Sequence, residues 1–508
     1  MNQRSKTTPD DSVIVIGGGL GGLSAAIRLA KQGFRVHLFE RSAHVGGKCR
    51  VEEFDGHSFD TGPSLLTLPA VYRDLFLKTG APLESELTLR PVDPAFDYHF
   101  ASGKRLTLPN ASRAGVVEAI AQTFGEESAR EWSALMDRAA AMWDVSREPF
   151  VESELRGFLP LLRRPGFLSS LKTIAPFTSL RDMAKRYLNT PELVTLIDRY
   201  ATYTGSDPRQ APAVLLTIAY IEQVFGAWHI EGGIGQLTTA LERRAQSLGI
   251  EIHLNSDVRS ITTAGSEVTG ITLNNGKTYF ANYVISNVDA QITYEKLLSP
   301  HRKTKNERKK LNRATPSFSG FYLLLALTGR NDEQKHHTVS FPADYDAEFN
   351  SLFKSQTPVV DPTLYICSPQ DLTMSPSADH ESWFVLVNAP RHSTSGDGFD
   401  WLAPGVAQRY SEHLINLLVD RGLLDKARIE KIIYRSPADI ESLFNAPGGA
   451  IYGKSSNGAN AAFNRASNRS PIKGLYLVGG SAHPGGGVPL VGISGEIVAD
   501  AITSLQRG

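Results

Sequence analysis

Residues 1–11 are polar, and the β-branched run Ser12–Ile16 that follows predicts a strand. Glycines come next, and then Leu23, Ala26, Ile27, Leu29 and Ala30 recur at helical spacing until Gly33. Residues 34–40 alternate as a second strand, so strand, turn, helix and strand form one βαβ unit. Farther on, short β-like pieces over 88–108 give way to helical patterns over 113–145, 179–203 and Gly235–Ser247. Strands are predicted over 251–254, 318–327, 363–368, 383–388 and 474–479, and helices over 406–418 and 489–502. Segments 268–273 and 278–286 flank Asn274, Asn275 and Gly276 and read as a hairpin.

These elements predict an α/β fold with an α+β substrate region. A Rossmann-like domain is expected from the discontinuous segments 1–87, 234–290 and 470–508. A mixed-sheet substrate domain is expected from 88–112 and 291–469, and a helical cap from 113–233.

At 508 residues with 41% hydrophobic content, the chain has enough material for two or three domains. Basic and acidic residues balance at 53 each, which gives no global pull toward nucleic acid. Cys49 and Cys367 alone make no disulfide framework and no thiolate metal site, and they suit a reducing cytosol. The histidines form no HExxH pattern, so no metal is expected. The polar start lacks a secretory h-region, and the best apolar run, 211–221, is shorter than the roughly 20 residues of a spanning helix. That run is expected to be a buried helix.

Chemistry enters at the first turn. Gly17, Gly19 and Gly22 make a GxGxxG pattern between strand and helix. Gly17 permits the turn, Gly19 lets backbone approach a pyrophosphate, and Gly22 allows helix to pack on strand. Free N–H groups at the helix start attract the phosphates, and Glu40 at the end of the second strand can accept from ribose hydroxyls. Gly46, Gly47 and Lys48 follow too soon for another element, and they can fold back over the same pyrophosphate. Asp60, Thr61, Gly62 and Pro63 form a rigid turn. Near the other end, five glycines between 479 and 487 demand close backbone approach, and a second helix N-terminus there suits a flavin carbonyl. FAD is therefore preferred over NAD.

Together these residues resemble the bacterial carotenoid (phytoene) desaturase family of FAD-dependent oxidoreductases. The match covers residues 13–23 with Glu40, the Gly46 and Asp60 turns, the 228–234 segment, and above all Gly479 to Leu490 around His483-Pro484-Gly485. Gly492 and Glu496 depart from the usual pattern. The resemblance implies an FAD held by Gly17, Gly19, Gly22, Glu40 and Lys48, with Val258 at the adenine edge. It places Thr61, Gly62, Gly480, Gly487, Pro489 and Leu490 near the isoalloxazine. It further implies desaturation of a carotenoid or hydrogenated precursor by hydride transfer to the flavin, with oxygen or a quinone as final acceptor. The family also holds oxygenases and isomerases. Outside it, an amine or porphyrinogen oxidase and a noncatalytic polyene-binding flavoprotein are the alternatives.

No conventional acid–base set is evident, and the catalytic residue stays unassigned. His483 could move a proton or simply bond a backbone carbonyl. Phe318, Phe321, Tyr322, Leu323 and Leu325 could line an apolar tunnel or form a strand core. Within the stretch 150–187, the seven basic residues between Arg156 and Arg186 stand against Asp182 alone, a local charge of +6, interleaved with Phe158, Leu161, Phe167, Leu171 and Phe177. This pattern suits peripheral contact with an anionic membrane that supplies an apolar polyene, or a pair of cap helices with a solvated face.

Overall fold

A computed structural model describes residues 12–155, 157 and 166–506. Its centre is a five-stranded, all-parallel sheet in the order Leu475–Leu477, Tyr283–Ser286, Ser12–Ile16, Arg35–Phe39 and Glu251–His253. Parallel strands covered on both faces read as unbroken apolar runs. In Ser12–Ile16 the period of two divides the load: Val13 and Val15 pack on the helix side, and Ile14 and Ile16 on the other. The helix Leu20–Lys31 packs along the C-terminal helix Val488–Gln506. The contact depends on Gly495, where a Cβ would meet the Ser24 Cβ at 2.7 Å and the Ala25 backbone nitrogen at 2.8 Å. Arg28, itself buried, ties the pair by bonding Asp74 at 2.9 Å and Glu496 at 3.1 Å. The Val488–Leu505 stretch is long and apolar enough to cross a membrane, yet Ile493, Ile497, Val498 and Ile502 lie in the interior, as in a core helix.

A second, seven-stranded mixed sheet runs in the order Ile429–Arg435, Ser319–Thr328, His380–Ala389, Leu364–Cys367, His337–Ser340, Phe96–His99 and Arg105–Leu108. Helices Arg113–Phe124, Glu126–Arg147, Leu180–Tyr187 and Pro191–Arg199 cover one end of it. Gly125 (φ +98°) breaks the helical pattern predicted over 113–145 into two. The apolar run at 211–221 is a buried helix over Leu216–Phe225, preceded by a short 3-10 turn.

One expectation needs correction. The segment 278–286 is not one hairpin arm: Thr278–Phe280 pairs back on Glu267–Leu273, whereas Tyr283–Ser286 crosses into the parallel sheet beside Ser12–Ile16. Asn282 makes the switch, its backbone N–H donating to the Ser12 carbonyl at 3.2 Å and its side chain accepting from the Ser12 hydroxyl at 3.0 Å. Strand Ser319–Thr328 likewise divides by face. Phe321, Leu323 and Leu325 pack under the helix Val406–Asp420, while Tyr322 lines a different cavity from Phe318. The apolar run is therefore mainly core.

Gly495→Val should destabilise the protein by about 1–3 kcal/mol, the usual cost of overpacking a tight contact. A lowered urea midpoint in the purified protein is the expected reading, and an unchanged midpoint would show that the two helices tolerate separation.

Candidate functional site

A cavity of about 390 Å³ lies across the C-terminal ends of the parallel strands, where open α/β sheets place ligands. Its wall includes Gly17, Gly19, Glu40, Lys48, Thr61, Gly62, Val258, Gly480 and Gly487, which come from five separate stretches of chain. Gly22 lies beneath the turn instead. A Cβ there would stand 2.3 Å from the Gly17 carbonyl oxygen, consistent with a packing role. Pro489 and Leu490 line the neighbouring cavity rather than this one.

The helix Leu20–Lys31 begins with no side-chain cap and no acid in its first turn. Its opening N–H groups therefore have no local anion, and Gly19, Leu20 and Gly21 place them on the cavity wall. The Gly46 loop lies across this start, with Gly46 N–H donating to the Gly18 carbonyl at 2.8 Å. Glu40 is buried; Oε2 accepts from Gly18 N–H at 2.8 Å, and Oε1 accepts from the Ser42 N–H and hydroxyl, each at 2.9 Å. A carboxylate has about four acceptor positions, so capacity remains for a diol. Val258 follows the turn in which Ser256 N–H donates to the Glu40 carbonyl at 2.8 Å, which brings it beside Glu40. An uncapped helix start, an oriented carboxylate and side-chain-free walls fit a dinucleotide.

Lys48 lines this cavity, but its ammonium has different partners from those the sequence suggests. It donates to the Ala450 carbonyl at 3.1 Å and the Ile451 carbonyl at 2.7 Å. Burial lowers its pKa to about 8 against the opposing charge of Asp289. Gly62 admits no side chain, because a Cβ would lie 1.7 Å from the Lys48 carbonyl oxygen. Asp60 is structural: it accepts from Ile234 N–H at 2.8 Å and Gly235 N–H at 3.2 Å, capping the helix Gly235–Ser247. Burial raises its pKa to about 6, against the pull of those two N–H groups.

A second cavity, about 820 Å³ and mainly apolar, adjoins the first. The two share Gly62, Pro63, Leu386, Ile451, Tyr452, Gly486, Gly487 and Val488. Phe318, Trp143, Ile174, Leu215 and Ile218 line its body, and Leu171, Pro176 and Phe177 belong to its wall. Near the shared wall, the Tyr365 hydroxyl bonds both Ser64 and His337 Nδ1 at 2.8 Å. Among the described residues this cavity has no carboxylate and no imidazole on its wall.

His483 lines neither cavity. Its Nε2 meets the Ser153 carbonyl at 2.9 Å, and burial lowers its pKa to about 4, so the neutral ring donates there. The structural reading of this histidine therefore holds. Sequence reasoning missed Asn287, which follows the strand Tyr283–Ser286 and donates from Nδ2 to the Gly17 carbonyl at 3.3 Å. Tyr452 and Arg199 were missed too. None of the three sits in a recognisable motif, and the topology brings them in. Residues 156 and 158–165 of the basic, apolar stretch lie outside the described residues. Within the rest, Arg181 is engaged by Asp198 at 2.6 Å and Asp346 at 2.7 Å, so it is not free for a headgroup. Phe177 is 93% exposed at the cavity edge.

Comparison with known proteins gives consistent results. Residues 20–377 match the model of the flavin containing amine oxidoreductases. The chain is 32% identical to a 4,4'-diapolycopene oxygenase from a Methylomonas species, covering 97% of this chain and 98% of that one. It is 30% identical to a 4,4'-diaponeurosporene oxygenase of Staphylococcus haemolyticus, covering 97% of each. Among solved structures, putrescine oxidase bound to putrescine aligns with a TM-score of 0.64 at 16% identity, over 98% of this chain and all of that one. Cyclohexylamine oxidase from Brevibacterium oxydans gives 0.63, also at 16% identity and with the same coverage. These two likenesses establish the fold.

Gly19→Val would push a branched side chain toward Asn287 Nδ2, 2.7 Å from a Cβ at that position, and across the helix start. The purified variant should carry no extractable FAD. Glu40→Gln should keep the fold and bind FAD about tenfold or more weaker, the scale of one charged hydrogen bond. Wild-type flavin content in both variants, measured by absorbance after heat extraction, would remove the dinucleotide assignment from this cavity.

Proposed function

Because this chain belongs to the flavin containing amine oxidoreductase family, we propose that it is an FAD-dependent oxidoreductase whose substrate is a carotenoid-type polyene. The observation that carries the reading is the wall shared by the two cavities, which sets a long apolar chamber directly against the dinucleotide site. Bound FAD supplies a two-electron acceptor able to take a hydride from carbon. Gly17, Gly19, Glu40, Thr61, Gly62, Val258, Gly480 and Gly487 would hold it.

The chain's own contribution is alignment and exclusion of water. Gly62, Gly486 and Gly487 present backbone at the shared wall, so a flat polyene can approach closely, while Leu386 and Ile451 flank it. Pro489 and Leu490 extend the wall on the polyene side. A positive charge left by hydride loss spreads along the conjugated chain and makes the adjacent C–H acidic. Desaturation then needs only release of that proton, which agrees with the lack of carboxylate and imidazole on the chamber's described wall. A protonated amine would find no anionic partner there, so the polyene reading is preferred over an amine.

Oxygenation at a chain end is the second reading, favoured by the names of the relatives from Methylomonas and Staphylococcus haemolyticus. It begins with the same hydride loss, here from a terminal methyl. Capture of the cation by water with release of a proton gives an alcohol, and loss of a second hydride and proton gives an aldehyde. In either case oxygen or a quinone would take the electrons onward.

A polyene must be collected from lipid, and the Phe177 edge of the chamber is the proposed contact with an anionic membrane face. Phe177→Ser should weaken sedimentation with anionic liposomes while leaving FAD content intact. Equal sedimentation of variant and wild type would place the contact elsewhere.

FAD-loaded protein mixed without oxygen with polyenes in liposomes should lose its oxidised flavin band as the polyene band moves to longer wavelength. Product two hydrogens lighter marks desaturation, and product carrying oxygen marks the second reading. No flavin bleaching across acyclic and cyclic carotenoids would reject polyene oxidation.

A further inference from the structure

The chamber proposed for the apolar chain contains a buried cation that a hydrocarbon does not need. Arg199, at the end of the helix Pro191–Arg199, is only 7% exposed and lines this cavity. Its guanidinium lies over the rings of Phe96 at 4.6 Å, Tyr203 at 5.0 Å and Tyr98 at 5.5 Å. Among the described residues it makes one hydrogen bond, to the Tyr98 hydroxyl at 3.2 Å, and no ion pair. The acid in the neighbourhood, Glu222, steadies the cation through space, but no contact joins the two, and its oxygens accept from the Tyr200 hydroxyl at 2.7 Å and the Tyr203 hydroxyl at 2.9 Å.

A guanidinium carries five donors. One is taken by Tyr98, and among the described residues the others have no protein acceptor, on a side chain that lines the cavity. Keeping a cation in an apolar chamber without a paired carboxylate is costly. Aromatic faces offset part of that cost and fix the orientation of the plane, but they supply no acceptor for the N–H groups. The position is also informative. Arg199 acts through space on the hydroxyls of Tyr365 and Tyr452, and Tyr452 belongs to the wall shared with the dinucleotide cavity. Contacts also lead from the cation to the shared wall: Arg199 lies over Phe96, Phe96 stacks on His337, and His337 bonds Tyr365, whose hydroxyl bonds Ser64 beside the shared Pro63.

We propose that Arg199 is a specificity residue that binds the oxygen of an oxidised chain end, so that the preferred ligand is a long apolar polyene ending in a carbonyl or carboxylate. This rests on the polyene reading above and names the end group that reading leaves open. An oxygenated end presents the acceptor that the free N–H groups lack, and a pure hydrocarbon of equal length leaves them unpaired. The residue selects and positions the end and takes no part in moving electrons.

The test is a binding titration of FAD-loaded protein in detergent, following the absorbance of the bound polyene. Three ligands of matched length are compared: an acyclic polyene hydrocarbon, the same polyene with a terminal aldehyde, and a saturated fatty acid. Wild type should bind the aldehyde about ten- to a hundredfold more tightly than the hydrocarbon, the range of a charge-assisted hydrogen bond. Arg199→Gln should lose that preference without loss of hydrocarbon affinity, and Arg199→Lys should retain part of it. Equal wild-type affinity for the two polyenes overturns the proposal whether or not the variants fold. So does a preference that survives in Arg199→Gln with native FAD content. Fatty acid displacing the aldehyde at equal concentration would instead make this a lipid carboxylate site and overturn the assignment to a polyene end. Because binding is read directly, absence of flavin reduction with every polyene would count against the polyene reading and leave the measured preference of Arg199 intact.

Discussion

Everything in this molecule hangs on one close approach of backbone to backbone at the C-terminal ends of the parallel strands. Gly21, Asn287 and Gly479 come from three distant parts of the chain and meet there. A Cβ on Gly21 would stand 3.1 Å from the Gly479 Cα, and one on Gly479 would stand 2.3 Å from the Asn287 Oδ1. Gly479 also has φ +92°, a conformation that side chains resist. The start of the first helix, the crossover after Tyr283–Ser286 and the turn after Leu475–Leu477 can therefore share one small space. Any side chain there would separate the sheet from the helices that cover it. It would also fill the wall of the cavity proposed for the dinucleotide.

This constraint explains which parts were legible in the sequence. The βαβ unit is local, and its glycine spacing, strand ends and Glu40 all carry information within one short window. The α/β class and the FAD-dependent family follow from that window together with the C-terminal glycines. Asn287 was illegible because an asparagine after a strand has many uses, and only the sheet order places it against Gly17. The segment 278–286 was misread for a related reason. The Asn275–Gly276 turn correctly predicts a hairpin, but nothing local says that the returning strand leaves after Phe280. Arg199 was hidden by its setting in a helix whose other residues are ordinary, since its meaning comes from the rings and the cavity around it.

His483 and Lys48 show the opposite error, where a suggestive neighbourhood overstates a side chain. Both sit in glycine-rich turns beside the cofactor cavity, and both face backbone carbonyls. His483 holds the Ser153 carbonyl behind the turn. Lys48 holds the carbonyls of Ala450 and Ile451, and this contact has a consequence for function. Ile451 and its neighbour Tyr452 belong to both cavities. Through Lys48, the loop that crosses the first helix start is fastened to the segment that lies between the two cavities.

The contrast between the two cavities then follows from the chemistry each would serve. The dinucleotide cavity is edged by Glu40, Lys48, Asp257 and Asp289, groups able to answer phosphates, hydroxyls and a polar ring. The larger chamber has no acid on its described wall and three bases, Lys172, Arg199 and Arg465. Arg465 is already committed, donating to the carbonyls of Tyr452 at 3.0 Å and Gly480 at 2.9 Å. On its described wall the chamber offers a positive substrate aromatic faces but no carboxylate, and it suits a reaction in which the charge that develops is spread along the substrate itself. A conjugated chain does this, because it distributes a cation over many carbons and needs no counter-ion at one point. An isolated amine or a saturated chain does not. The absence of carboxylate and imidazole from the chamber's described wall therefore suits polyene oxidation, and the demand on the protein falls on alignment by the glycine-lined shared wall and the apolar chamber.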